Sequence, residues 1–198
     1  MSAITDSLAE TDKLFRALVD DTALIATLKE IADLWAARLQ KGHRIFFAGN
    51  GGSAADSQHI AGELVSRFHF DRPGLPGIAL TTDTSILTAI ANDYDYSYVF
   101  QRQLEALAAE GDVFVGISTS GNSQNIIRAL RHCRDAGVTT VGLTGQSGGQ
   151  MPDLCDHIVR IPHASTPRIQ EGHIACAHAI CEKVESTLFD NPTAGQCR

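Results

Sequence analysis

The sequence has no long hydrophobic run, no excess of basic charge and no cysteines at metal or redox spacing, and each absence removes a class of function. No stretch of the 198 residues approaches the roughly 18 unbroken apolar residues of a membrane-spanning helix. Met1 to Glu10 lacks a basic segment followed by an apolar one, so it does not read as a secretory signal. Sixteen Lys and Arg face 23 Asp and Glu, for a net charge of −7, the opposite of what a protein living on phosphate backbones needs. Neither a nucleic acid nor a membrane is therefore an expected partner, whereas a small anion held by a local site is compatible with this charge. The cysteines, Cys133, Cys155, Cys176, Cys181 and Cys197, are odd in number and form no C-x-x-C. They make neither a disulfide framework nor a thiolate zinc site, and Cys176 and Cys181 fall in an apolar helical pattern. A reducing, cytoplasmic setting is the expectation.

What is present is enough apolar material, 43% of residues, for a real core, which excludes global disorder. The length fits one domain, 1–198, with a helical pair over 1–42 and an α/β core over 43–189. Ile4, Leu8, Phe15 and Leu18, then Leu24, Leu28, Ile31, Trp35 and Leu39, keep helical spacing, and Gly42 after Lys41 reads as a C-terminal cap. The period then changes. Short apolar runs at Arg44–Gly49, Gly77–Leu80, Asp112–Ile117, Val138–Leu143 and His157–Ile161 read as buried strands. Amphipathic stretches lie between and after them: Ser53–Phe68, Thr84–Ala91 with Tyr98–Ala109, Ser123–Ala136 and Thr166–Phe189. Strands alternating with helices predict an α/β fold, a doubly wound five-stranded parallel sheet flanked by helices with two further helices at the N-terminus. Those two helices precede any strand, and their apolar stripes can be covered by the sheet or by a second subunit.

Ligands of such sheets bind beyond the carboxyl ends of the strands. Two of those ends are unusual. Gly49-Asn50-Gly51-Gly52-Ser53 follows the first strand, where glycines admit a close ligand and a helix N-terminus offers free N–H groups. Ser118-Thr119-Ser120-Gly121-Asn122-Ser123 follows the third, where four hydroxyls at a helix start form a cradle for phosphate oxygens without a lysine. Each alone reads as an ordinary capped turn, but two side by side point to an anion site. Gly49-x-Gly51-x-x-Ala54 approximates a dinucleotide fingerprint, yet the acidic residue expected about 20 residues on is missing, Asp83 lying 29 beyond Ala54. Gly116-x-x-x-x-Gly121-Asn122-Ser123 approximates a P-loop with asparagine in place of the essential lysine. Both nucleotide readings fail. His59 and Glu63, at i and i+4, share a helix face at a spacing that admits a metal, although surface helices carry many such pairs. Gln170, Glu171, His173, His178 and Glu182 load the last helix with polar groups, and a hydrogen-bonded core histidine is the plain reading of His178.

Taken together, Ala48–Ser53, His59 to Glu63, Ala91-Asn92-Asp93, Gly116–Ser123 and Arg168–His173 with His178 resemble the phosphoheptose isomerases of the sugar-isomerase (SIS) domain family. The likeness spans nearly the whole chain. The serine loop alone marks only a sugar-phosphate-binding SIS domain; His59, Glu63, Gln170 and His178 make the match specific. The resemblance implies an aldose–ketose isomerase acting on sedoheptulose 7-phosphate, at the first step of ADP-heptose synthesis for the lipopolysaccharide core. It implies that Asn50, Gly51, Gly52 and Ser53 contact the sugar phosphate, that Ser118, Thr119, Ser120 and Ser123 hold the phosphate, and that Asn92 and Asp93 bind the sugar chain. It implies one zinc per subunit on His59, Glu63, Gln170 and His178, with Glu63 and Gln170 also touching substrate and Glu63 and His178 acting as the acid–base pair. It implies a homotetramer with active sites between subunits. Ser165-Thr166-Pro167 lies where some relatives carry an acidic residue, and no role is carried over there. Some SIS proteins bind the bacterial replication initiator instead of isomerising sugars, and these lack the glutamate and histidine that Glu63 and His178 match. Regulatory relatives add a DNA-binding segment that this chain has no residues for.

Overall fold

The computed structural model describes residues 2–189. The sequence-predicted Cys197 lies outside them. Helices α1 (Ala3–Asp20) and α2 (Thr22–Gln40) lead into strand β1 (Ile45–Gly49) and helix α3 (Gly52–Val65). Strand β2 (Gly77–Ala79), helix α4 (Thr84–Asp93), a 3₁₀ turn over Tyr96–Tyr98 and helix α5 (Gln101–Leu107) follow. Strand β3 (Val113–Ser118), helix α6 (Gln124–Asp135), strands β4 (Thr139–Gly145) and β5 (His157–Ile161) and helix α7 (Thr166–Leu188) complete the order. The strands form one parallel sheet in the order β2-β1-β3-β4-β5. This is the expected doubly wound α/β architecture, with its strand order reversing between β1 and β3.

Alternation along the strands divides the core in two. Ile45 and Phe47 of β1 face a cluster with Trp35 of α2, Ile60 and Leu64 of α3 and Val184 of α7. Phe46 and Ala48 face the opposite way, onto Phe100, Leu104, Phe114 and Ile126. Trp35 meets Phe47 edge-on at 5.5 Å between centroids. The N-terminal pair uses the first layer unequally. α2 is seated on α7 and β5 and buries Leu24, Leu28, Ile31, Trp35 and Leu39, the residues its periodicity singled out. α1 buries Leu14 and Leu18, while Ile4, Leu8 and Val19 are exposed and Phe15 is 38% exposed. Of the stripe read for α1, only Leu18 is a core position, because α1 touches the body along one edge near α7.

Boundaries shift where tertiary contacts override pattern. The helix expected over Ser53–Phe68 stops at Val65, and the segment expected over Tyr98–Ala109 splits into a 3₁₀ turn and the short α5. Gly42 does take the left-handed conformation after α2, with φ +81°. Cys133, Cys176 and Cys181 are buried free thiols, pushed by burial up to about 12, 11 and 12, which leaves them chemically quiet. No described helix is long and apolar enough to cross a membrane.

Candidate active site

The strand-order reversal puts the carboxyl ends of β1 and β3 side by side, Gly49 in register with Ile117. The two loops singled out from sequence therefore adjoin. They are tied by a reciprocal amide pair: Asn50 Nδ2 donates to Asn125 Oδ1 at 3.0 Å and Asn125 Nδ2 donates to Asn50 Oδ1 at 2.8 Å. Tyr96 Oη donates to the same Asn50 oxygen at 3.1 Å, anchoring the α4–α5 corner over the site. Asn125 and Tyr96 were not picked out from the sequence; an asparagine four and eight residues before Ala129 and Cys133, on the apolar face of the α6 pattern, was the available signal for Asn125.

In the second loop the Ser118 and Ser123 hydroxyls lie 3.0 Å apart, with Ser120 Oγ at 3.5 Å from Ser118. Ser123 occupies the N-cap position of α6 but makes no capping bond with its side chain. Its hydroxyl turns to Ser118, leaving the N–H groups of Gln124 and Asn125 without a side-chain cap, while the Ile126 N–H meets Asn125 Oδ1 at 3.0 Å. Gly121 takes φ +68° against the Gly148 backbone, where any side chain would collide. The first loop behaves alike. α3 starts at Gly51, φ +57°, again without a side-chain cap. A Cβ on Gly52 would lie 2.6 Å from the Gln170 amide nitrogen, so the glycine lets Gln170 rest on the start of α3. Ser53 is buried, and Asn92 donates to Asp93 at 2.8 Å at the end of α4, three residues before the anchored Tyr96 turn. The structure brings Asn50–Ser53 and Ser118–Ser123 together directly; Asn92 and Asp93 stand on the corner that Tyr96 holds to Asn50.

Helices α3 and α7 pack side by side. Gln170 meets Gly52 and His178 meets His59, so the two helices run in the same direction. His59 Nε2 lies 2.9 Å from Glu63 Oε1 and 3.3 Å from His178 Nε2, and the imidazole rings meet edge-on. Among the described residues this is the one His/Cys/Asp/Glu group whose ligand atoms converge for a metal, all within 4.8 Å. The donor set fits zinc. Bonds of about 2.0–2.1 Å at tetrahedral angles put ligand atoms roughly 3.3 Å apart, and two imidazoles with one carboxylate leave a fourth position open. Two neutral ring nitrogens and a carboxylate oxygen facing one another also have too few protons to satisfy all three, which a cation would resolve. Gln170 stands about two turns of α7 before His178 and packs at Gly52. Burial, and then the neighbouring His59, lower the His178 pKa, while Glu63 opposes them. Asp56, one turn before His59 on α3, was also missed from sequence: one of its oxygens is buried without a partner, and burial raises its pKa.

The plain core histidine expected at position 178 is instead His173. It is fully buried, with Nε2 donating to the Thr144 carbonyl at 3.1 Å, and burial holds its pKa at about 4.

The SIS domain model matches residues 9–145. A phosphoheptose isomerase of Burkholderia pseudomallei is 53% identical over 189 residues, 96% of each chain. One from Aneurinibacillus thermoaerophilus is 57% identical over 175 residues, 88% of each. The solved phosphoheptose isomerase of Neisseria gonorrhoeae superposes with a TM-score of 0.87 at 39% identity, covering 92% of this chain and 97% of that one. With two adjoining glycine- and serine-rich loops at strand ends and a His–Glu–His cluster on its paired helices, the chain belongs to the phosphoheptose isomerases of the SIS domain family.

Proposed function

We propose that the protein converts sedoheptulose 7-phosphate to the corresponding aldose, D-glycero-D-manno-heptose 7-phosphate, in the cytoplasm, supplying heptose for the lipopolysaccharide core. The observation that carries this reading is the convergence of His59, Glu63 and His178 on two helices whose N-terminal ends border the phosphate cradle. In this reading Ser118, Thr119, Ser120 and Ser123 hold the phosphate, Asn50, Gly51, Gly52 and Ser53 contact the same ligand, and Asn92, Asp93 and Gln170 line the sugar chain. Phosphate binding is remote from the reacting carbons, and its energy fixes the long substrate for proton transfer.

Isomerisation removes a proton from C1, moves the hydroxyl proton from O1 to O2, and delivers a proton to C2 through an enediol(ate). Glu63 is the base that takes the C1 proton and returns one to C2. His178, whose pKa burial and His59 lower against the opposing Glu63, exchanges the oxygen protons. His59 braces the Glu63 carboxylate through the 2.9 Å contact. His59, Glu63 and His178 would hold zinc, which when bound would polarise the carbonyl and stabilise charge on the two neighbouring oxygens, whereas the Gln170 expected as a fourth ligand packs at Gly52, about two turns of α7 away from this cluster. The exposed Ile4, Leu8 and Val19 of α1 support a homotetramer with sites at its subunit interfaces.

A coupled assay of sedoheptulose 7-phosphate turnover tests the reading. Chelation is expected to suppress activity without unfolding the protein, and Zn²⁺ to restore it, since an open catalytic site does not carry the fold. Zinc-loaded, folded protein that fails to turn the substrate over would overturn the reading in favour of a non-enzymatic SIS protein that binds the replication initiator.

A further inference from the structure

The chain beyond α3 carries a buried ion pair that the mechanism does not use. Arg72 and Glu185 have side chains only 2% exposed, with Arg72 Nε donating to Glu185 Oε1 at 3.0 Å. Besides a bond from Arg72 to the Pro73 carbonyl at 3.1 Å, the arms of the pair end on backbone next to the site. The guanidinium donates to the carbonyls of Glu63 at 2.8 Å, Leu64 at 2.7 Å and Ser66 at 3.3 Å, taking up the carbonyls left free where α3 ends. The carboxylate accepts from the N–H groups of Phe68 at 2.9 Å and His69 at 2.7 Å. Phe68 in turn lays its ring against His178, 5.7 Å between centroids. One arm thus grips the main chain of Glu63, and the other sets the aromatic neighbour of His178.

We propose that Arg72 and Glu185 are positioning residues that set the distance and angle between Glu63 and His178. The proposal rests on the isomerase reading of this site. Two groups that hand protons to adjacent atoms of one substrate must hold their separation closely, and small misplacements of such groups are costly in rate. α3 and α7 each carry one of the two; apolar packing between the helices sets their general alignment, and a directional bond is needed to hold it closely at the ends that carry Glu63 and His178. The pair supplies that bond, because it ties the last turn of α3 to a point on α7 two turns beyond His178. The phosphate cradle sits at the opposite end of α3 and on α6, outside its reach.

The test compares wild type, Glu185→Gln and the double variant Arg72→Met with Glu185→Met. The double variant removes both buried charges together and is the safer one for folding. Wild-type turnover is measured first, and an inert wild type would sink the isomerase reading irrespective of the variants. Given an active wild type, both variants are expected to lose 10- to 100-fold in kcat. KM and the affinity for inorganic phosphate should stay within about twofold. In NMR spectra the His178 ring signals should move while the amides of Ser118–Ser123 stay in place. Wild-type kcat in either folded variant, or KM and phosphate affinity worsening in step with kcat, would overturn the proposal. Loss of the fold in both variants would overturn it too, since the pair would then serve the fold and not the site.

Discussion

At the starts of α1, α2 and α4 a side chain takes up a free helical N–H: Ser2 accepts from Thr5, Asp21 from Leu24 and Asp83 from Ile86. At the starts of α3 and α6 the N-cap residue, Gly51 or Ser123, makes no such bond, although in α6 the Ile126 N–H meets the Asn125 amide oxygen at 3.0 Å. The first group lies away from the carboxyl ends of β1 and β3, and the second sits on them. A side-chain cap contributes about 1 kcal/mol, so α3 and α6 leave unused the stability that α1, α2 and α4 take up. Ser123 makes the contrast sharp: it is a favoured capping residue in the capping position, with its hydroxyl turned to Ser118 instead. α5 and α7 likewise start without a side-chain cap, so what sets α3 and α6 apart is the place of their starts, at the carboxyl ends of β1 and β3.

The largest test of that division is Glu63→Gln. It keeps shape but removes the base, and kcat should fall ~10²–10⁴-fold with unfolding stability and phosphate affinity nearly unchanged. Near-normal turnover would show that the α3–α7 cluster is no more chemical than the rest of α7. Next in size is the pH dependence of stability, which separates the two histidines of α7. His173 has its pKa lowered by burial from 6.5 to about 4. The unfolded chain binds this proton below pH 6.5 and the folded protein does not, so the contribution is complete above pH 6.5 and lost as pH falls towards 4. Roughly 3 kcal/mol is at stake. Urea unfolding at pH 7.5 and 4.5 measures it, and a His173 ring that protonates near pH 6.5 in NMR titration would contradict it. The smallest test pits caps against cradle. Asp21→Ala should cost about 1 kcal/mol of stability and leave KM alone. Ser123→Ala should leave stability alone and raise KM roughly tenfold, the worth of one hydrogen bond to a charged acceptor. Reversed outcomes would erase the distinction.

The strands were legible because a buried parallel sheet writes itself as short continuous apolar runs; all five runs read from sequence hold strands, with no end off by more than two residues. Both loops at the ends of β1 and β3 were legible because each lies within one stretch of sequence. The His59–Glu63 spacing showed on one helix face, but its meeting with His178 depends on α3 and α7 lying side by side, and local pattern does not encode that. The same holds for Arg72 and Glu185, 113 residues apart, which look in sequence like two ordinary surface charges. His173 and His178 could not be sorted by pattern, since both sit among apolar neighbours and only the direction of the sheet decides which is covered.

The outermost strands of the sheet have a bearing on how the chain survives its own folding. A parallel sheet with long crossovers assembles slowly, and until it is complete its open edges can recruit strands from other copies. Here β2, at one edge, is three residues long and enters directly after Pro76. At the other edge β5 carries the exposed Arg160, is followed immediately by Pro162, and has α2 packed against it. Proline cannot extend a hydrogen-bonded ladder, and a charged edge side chain resists burial in one. The sheet therefore terminates itself on both sides, which favours a chain that stays dispersed at high concentration and does not grow into cross-strand fibrils.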